Sequence, residues 1–156
     1  METLIRKLLH HRPPYLMVDK IIHLDEERIH TQKIPEASEY YLQGHFPGTP
    51  VVPGAMMQEM TTQAAGLLIT KFYSPVPDYD SERTQGHALG VLRAVHSAKF
   101  KSFARPSDVL DIKVTLTENN LHSFRFKGVI TKGEEKIMTN DFTLINITED
   151  KLKGIL

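Results

Sequence analysis

The chain has 156 residues, a length typical of one domain that buries its core without disulfides or a structural metal. It contains no cysteine, which excludes a disulfide framework, a thiolate metal site and a thiol nucleophile. Nineteen Lys and Arg residues balance 19 Asp and Glu residues, so no net field attracts nucleic acid, and we expect a soluble, cytoplasmic protein.

The first half of the chain predicts a short helix, a hairpin and one long helix, all within a single domain of residues 1–156. Apolar residues recur at helical spacing between positions 4 and 9, and residues 15–25 and 28–35 are typical of two strands joined at residues 26–27. A stretch rich in proline and glycine follows, which excludes a membrane span there. Residues 54–72 then favour a helix, with Pro53 at a position where its missing N–H has no cost.

The second half predicts a loop and then strands. The pattern indicates a loop at 73–85 and strands at 88–100, 109–118, 123–131 and 136–147, with turns at 119–120 and 133. The helix at 54–72 is apolar around most of its circumference, so we expect it to be buried on nearly all sides. We therefore predict an α+β fold in which about six mostly antiparallel strands wrap around one long helix.

His45 and Glu59 flank the rigid stretch and can both transfer protons. His45 lies in a loop stiffened by prolines, where reacting groups are often placed. Glu59 interrupts an apolar helix, so its carboxyl must be paired or must keep its proton through a raised pKa. A base and such an acid can remove a proton at one carbon and protonate a leaving group at the next.

The backbone N–H of Gly54 is a candidate stabiliser of negative charge. The start of a helix exposes unpaired N–H groups and the positive end of the dipole, and glycine allows close approach of a ligand. A carbonyl oxygen placed there becomes an enolate at lower cost. Because the proline-rich segment turns before the helix begins, His45 and Glu59 of one chain need not meet, and two copies could be required for one site.

Metal chemistry is the competing interpretation, because the chain contains eight histidines. None of them forms an HExxH pattern or another recognisable ligand spacing. The sequence also lacks the glycine-rich phosphate-binding patterns and the Gly-x-Ser-x-Gly motif of serine hydrolases. We therefore expect neither a metal nor another cofactor.

Three stretches of the sequence resemble one family. Residues 44–66, GHFPGTPVVPGAMMQEMTTQAAG, resemble the signature of the FabZ-type 3-hydroxyacyl-[acyl-carrier-protein] dehydratases. Residues 11–21, HRPPYLMVDKI, are similar to the family pattern HRxPFLLVDRV, and residues 98–108, AKFKSFARPSD, to AKFKRPVxPGD. The resemblance spans nearly the whole chain.

The resemblance implies a hotdog fold and a homodimer with active sites at the subunit interface, often assembled further into a trimer of dimers. It implies that His45 takes the C2 proton of a 3-hydroxyacyl thioester carried by acyl carrier protein. Glu59 of the partner chain would help the C3 hydroxyl leave as water. Gly54 would donate its N–H to the thioester carbonyl and Gln63 would orient Glu59, while Phe46 and Pro53 belong to the same signature as supporting residues.

The resemblance also bears on substrate. Relatives of the FabA type, which isomerise the double bond as well, carry aspartate at the position of Glu59, so the glutamate favours dehydration alone. The family pattern departs at residues 102–108, which lose a proline and a glycine, and the loop at 73–85 is longer than expected. Both segments could reshape the acyl tunnel. A role in a specialised lipid or polyketide-like pathway is therefore an open alternative to housekeeping synthesis.

Lys99, Lys101 and Arg105 alternate along one predicted strand and its exit, which places them on one face. The simplest interpretation is a solvated face, and the alternative is a docking patch for an acidic acyl carrier protein. Two other functions remain open for the whole chain: thioester hydrolysis with Glu59 activating water, and a non-catalytic acyl-carrier-binding protein.

Overall fold

The computed structural model describes residues 2–154 and has one antiparallel sheet around one long helix. Its helices are α1 (Glu2–Leu8), α2 (Tyr40–Gln43), α3 (Gly54–Tyr73) and α4 (Glu149–Leu152). Its strands are β1 (Lys20–Leu24), β2 (Arg28–Lys33), β3 (His87–Phe100), β4 (Leu110–Asn120), β5 (Ser123–Lys132) and β6 (Glu135–Thr148). The six strands form a single sheet in the order β1-β2-β4-β5-β6-β3, with every neighbouring pair antiparallel. The predicted α+β architecture is confirmed.

Helix α3 lies inside the curved sheet. Residues 60–70 are buried without interruption, in agreement with the apolar composition around the helix. Strand β3 approaches the helix most closely at Gly90, where a Cβ atom would lie 3.1 Å from the Cα of Gly66 and the backbone φ is 71°. Two glycines therefore allow helix and strand backbones to touch.

Among residues 2–154, no helix is long and apolar enough to cross a bilayer.

Two predicted boundaries are wrong. Residues 15–19 are not in a strand, because Gln63 on α3 hydrogen-bonds to the backbone of Tyr15 and Met17 and holds this segment against the helix. The turn predicted at 119–120 lies at 121–122 instead, because Asn119 and Asn120 continue the ladder with β5. The two short helices α2 and α4 were not predicted, and the other elements lie within two residues of their predicted ends.

Strand β3 forms one end of the sheet. Within the described chain β3 pairs with β6 on one side and leaves its other edge open. That strand presents large apolar side chains to solvent: Leu92 is 40% exposed, Val95 45% and Phe100 51%. An open edge strand with exposed apolar residues is a template for pairing with another chain.

The predicted loop at 73–85 lies between α3 and β3 and docks on α1. The Ser81 amide donates to the Lys7 carbonyl over 2.8 Å, and Arg12 donates to the Ser81 hydroxyl over 3.0 Å. Tyr79 is buried and its hydroxyl hydrogen-bonds to His10. The loop is therefore fixed to the first helix by both backbone and side-chain hydrogen bonds.

Candidate active site

His45 is held in a defined orientation by the loop between α2 and α3. Its Nδ1 lies 2.7 Å from the carbonyl oxygen of Val51. Because a carbonyl oxygen only accepts hydrogen bonds, Nδ1 carries the hydrogen when the ring is neutral. The lone pair is then on Nε2, the nitrogen that can act as a base.

Phe46 forms the turn that presents His45. Its backbone adopts φ 62°, and its carbonyl accepts a hydrogen bond from the Thr49 amide at 2.9 Å. The Phe46 and His45 rings lie with their centroids 4.5 Å apart, and Phe46 is 60% exposed. The far end of the loop is tied down by the Val52 amide, which donates to the Ala104 carbonyl over 2.8 Å.

Gly54 is the first residue of α3 and follows Pro53, whose carbonyl accepts from the amides of Met56 and Met57. The Gly54 N–H precedes the first hydrogen bond of the helix, so it has no acceptor within α3. The Phe100 ring packs directly on Gly54, and a Cβ atom there would lie 2.9 Å from two ring carbons. The absence of a side chain therefore brings β3 against the start of the helix.

Glu59 lies in the second turn of α3 with its side chain 14% exposed. Its Oε1 accepts from the Gln63 amide nitrogen at 2.9 Å and lies 3.6 Å from His11 Nε2. Burial raises the pKa of the Glu59 carboxyl, against the lowering effect of hydrogen bonds from Gln63 and Tyr15. The apolar helix predicted a carboxyl that is either paired or has a raised pKa, and Glu59 has both a hydrogen-bond partner and a raised pKa.

Gln63, the residue that the family resemblance pairs with Glu59, donates a hydrogen bond to its carboxyl. Its fully buried amide also donates to the Tyr15 carbonyl over 2.8 Å and accepts from the Met17 amide at 2.8 Å. Both hydrogens of the nitrogen and the oxygen of the amide are thus used, which fixes the side chain in one rotamer. The hydrogen bonds to Tyr15 and Met17 therefore also fix the hydrogen bond from Gln63 to Glu59.

A cavity of about 590 Å³ opens beside Glu59, between α1, α3, β3 and α4. Its walls are mainly apolar, and Glu59, His11 and Tyr15 supply polar groups. His45 is not among its lining residues. One chain therefore does not bring the two predicted catalytic residues into one cavity.

The three predicted docking residues are all exposed. Lys99 lies in β3, Lys101 directly follows that strand, and Arg105 lies in the turn toward β4 with its guanidinium 5.7 Å from the Phe103 ring centre. Phe46 lines a second cleft of about 650 Å³ together with Phe103 and Arg105. Of the three, Arg105 thus shares a cleft with the loop that carries His45.

Sequence reasoning missed His11 and Tyr15, which both lie against Glu59. Their signal was present in the similarity of residues 11–21 to the family pattern, but the distance in sequence hid the contact. In the part of the chain that the structure describes, no three His, Asp or Glu residues cluster in a way that could hold a metal.

The chain matches the FabA-like domain family over residues 9–141. It is 38% identical over 132 residues to the 3-hydroxyacyl-[acyl-carrier-protein] dehydratase FabZ of Verminephrobacter eiseniae, a match that covers 84% of this chain and 83% of the relative. It is 33% identical over 146 residues to the FabZ of Caldanaerobacter subterraneus, a match that covers 93% and 96% of the two chains.

A similar fold occurs in the dehydratase heterocomplex ApeI:P from Xenorhabdus doucetiae. The TM-score is 0.77 at 16% sequence identity, and the match covers 97% of this chain and 95% of that one. These matches cover most of the chain. They indicate the same family as the signature around Glu59 and the helix inside an antiparallel sheet. The chain belongs to the FabZ-type 3-hydroxyacyl-[acyl-carrier-protein] dehydratases of the hotdog fold.

Proposed function

We propose that the protein removes water from a (3R)-3-hydroxyacyl thioester on acyl carrier protein and forms the trans-2-enoyl thioester. The observation that carries this proposal is the Glu59 carboxyl, which is buried beside an apolar cavity and oriented by Gln63. A protonated carboxyl in such a place can donate a proton to a leaving hydroxyl.

Each step uses one group of the chain. The Nε2 of His45 takes the C2 proton, and the electron pair of that C–H bond moves toward the thioester carbonyl, whose oxygen gains negative charge. The Gly54 N–H donates to this oxygen. The C3–O bond then breaks as Glu59 gives its proton to the leaving hydroxyl, and water departs. The new double bond joins C2 and C3.

The site requires two chains in this proposal. His45 does not line the cavity beside Glu59 within one chain, and the edge of β3 is open and carries exposed apolar residues. Pairing of two β3 edges would cover that surface and bring the His45 loop of one protomer near Glu59 of its partner. A homodimer therefore accounts for both features, and a trimer of dimers stays a prediction.

Lys99, Lys101 and Arg105 form the proposed docking patch for acyl carrier protein. All three are exposed, and Arg105 lines the cleft at Phe46, next to the loop that holds His45. Positive charge there would steer an acidic carrier toward the site entrance. The pathway, and with it a cytoplasmic location, stay predictions.

The direct test is incubation with 3-hydroxyacyl carrier protein across a range of acyl lengths. We expect the enoyl thioester as product. Release of free carrier thiol with the hydroxyl retained would instead indicate hydrolysis, and binding without any product would indicate a non-catalytic acyl-carrier-binding protein.

Complementation tests the two-chain site. His45→Ala and Glu59→Gln should each lower turnover by about 10²- to 10⁴-fold, the usual contribution of a general acid or base. Mixing the two variants under conditions of subunit exchange should restore about a quarter of the wild-type activity, because half of the random dimers are mixed and each has one intact site. A mixture as inactive as its components, despite demonstrated exchange, would contradict a shared site.

A further inference from the structure

The Tyr15 hydroxyl lies within electrostatic range of the carboxyl of Glu59, and both residues line the same cavity. The Tyr15 backbone carbonyl accepts from the same Gln63 amide that donates to Glu59. Tyr15 stands where the family pattern HRxPFLLVDRV has phenylalanine. Chains that carry that pattern have the ring at this position but lack the hydroxyl.

His11 completes the surroundings of this pair. Its ring stacks on Tyr15 with centroids 5.9 Å apart at 28°, and its Nε2 lies 3.6 Å from Glu59 Oε1. Gln63 thus holds the Tyr15 backbone and His11 packs on its ring, while 42% of the residue is exposed. These contacts restrict the side chain, so less conformational entropy is lost when its hydroxyl is placed at the carboxyl.

We propose that Tyr15 is a positioning residue that acts through Glu59, donating a hydrogen bond to the carboxylate that remains after Glu59 has given up its proton. This role rests on the proposed dehydration, in which Glu59 is the acid. A phenol donates readily to a carboxylate, and hydrogen bonds to a charged acceptor are about twice as strong as neutral ones. The hydroxyl therefore stabilises the form of Glu59 that the reaction produces.

The ionisable groups near Glu59 come from four segments. From the segment that follows α1, His11 and Tyr15 lie nearest to it, and from α2 Tyr40 lies within electrostatic range. The same cavity is also lined by His10, by His87 of β3, and by Glu149 and Lys153 at α4. Burial lowers the pKa of His11, with further lowering by the neighbouring charges of His10 and Arg12. The Nε2 of His11 lies 3.6 Å from Glu59 Oε1, beyond hydrogen-bond distance, so Gln63 and Tyr15 are the groups that can donate to the carboxylate.

Removal of the Tyr15 hydroxyl should raise the pKa of Glu59. Burial raises the pKa of Glu59 and the hydrogen bond from Tyr15 lowers it, so Tyr15→Phe should move that pKa further upward. Glu59 would then hold its proton more tightly and donate it less readily. One hydrogen bond of ordinary net strength corresponds to a fall in kcat of about 2- to 10-fold.

The test compares Tyr15→Phe with Tyr73→Phe, which removes another hydrogen-bonded hydroxyl, one that donates to the Glu26 carbonyl at 2.9 Å. The carboxyl carbon of Glu59 is followed by ¹³C NMR during a pH titration, and its signal is assigned by its loss in Glu59→Gln. We expect the Glu59 titration to move to higher pH in Tyr15→Phe and to stay in place in Tyr73→Phe. In the pH profile of kcat, the limb that depends on protonated Glu59 should also move to higher pH. KM should stay nearly unchanged.

A Glu59 titration and a pH profile that are both unchanged in folded Tyr15→Phe would overturn the proposal. Thermal unfolding of the variant establishes that it is folded, and the retained ring preserves the stacking on His11. The NMR titration needs no substrate. Absence of turnover in the wild-type protein would therefore count against the dehydratase proposal, while the titration would still decide the role of Tyr15.

Discussion

Gln63 and Glu59 lie one turn apart on α3, and the Gln63 amide nitrogen donates to the Glu59 carboxyl over 2.9 Å. The same amide satisfies the Tyr15 carbonyl and the Met17 N–H. One buried side chain therefore joins the candidate acid to the segment that precedes β1. Orientation of the carboxyl and anchoring of the chain depend on the same three hydrogen bonds.

Gln63→Leu should lower both stability and activity. The apolar side chain would leave two backbone groups without partners, each at a cost of about 1–3 kcal/mol, so we expect the free energy of unfolding to fall by roughly 2–5 kcal/mol. Gln43→Leu, at an exposed amide with one hydrogen bond to the Ser38 carbonyl, is the matched control and should change stability by less than about 1 kcal/mol. Denaturant unfolding and turnover measure the two effects, and equal stability of both variants would contradict this account.

Glu59→Gln should make the protein more stable at neutral pH while it abolishes turnover. Burial raises the pKa of Glu59 in the folded state, so the folded protein binds more protons than the unfolded chain between the two pKa values. Stability therefore falls as pH rises through that window, and the cost persists above it. Thermal unfolding of both proteins from acidic to neutral pH should show curves that coincide in acid and separate as pH rises, with the variant higher.

A wild-type curve that stays parallel to that of Glu59→Gln over the whole pH range would show that Glu59 carries no such cost. In that case the carboxyl would be ionised in the folded protein at neutral pH. Its role as proton donor would then need another source of the proton.

Gly54→Ala should lower activity without loss of stability. The new Cβ would lie 2.9 Å from the Phe100 ring, which is half exposed and can move. The substitution should therefore hinder access of a ligand to the Gly54 N–H but should not destabilise the core. Alanine within a helix is also favoured over glycine by roughly 0.5–1 kcal/mol. The control is Gly44→Ala, where no atom lies within 4 Å of the added Cβ.

We expect the dehydration rate of Gly54→Ala to fall while its unfolding temperature stays equal or rises, and Gly44→Ala to resemble the wild type in rate. Full activity of Gly54→Ala would show that a Cβ at this position does not block access to the backbone N–H, and would contradict this account.

Ser107→Gly should stabilise the turn between β3 and β4. Ser107 adopts φ 71°, a left-handed conformation that glycine enters without steric cost, and it stands where the family pattern has glycine. Relief of this strain is partly offset by the greater freedom of glycine in the unfolded chain, so we expect a net gain of up to about 1 kcal/mol. Denaturant midpoints measure it, and a destabilised variant would show that the serine side chain contributes to the turn.

The sequence predicted those parts of the fold that depend on local pattern. The apolar circumference of residues 54–72 located α3, and the alternation in the second half located β3 to β6. It failed where a long-range contact decided the backbone. Residues 15–18 form an apolar run typical of a buried strand, but Gln63 hydrogen-bonds to the backbone of Tyr15 and Met17. No local pattern shows that an amide 46 residues away will do so.

Those candidate site residues that lie within one local stretch of sequence could also be predicted. Rigidity, residue type and family signature indicated His45, Gly54, Glu59 and Gln63 as candidates. The apolar surroundings of Glu59 indicated a carboxyl that is either paired or has a raised pKa. Tyr15 was not predicted as part of the site, since only the folded chain brings its hydroxyl to the carboxyl. That hydroxyl is the feature of this site that the family signature alone would not indicate.

The open edge of β3 has a consequence for how the protein must be handled. In the proposed dimer each active site exists only while two edges are joined, so the fraction of working sites depends on total protein concentration. We expect specific activity to fall on dilution below the dissociation constant and to recover on concentration. Turnover numbers obtained from very dilute samples would then report assembly as much as chemistry.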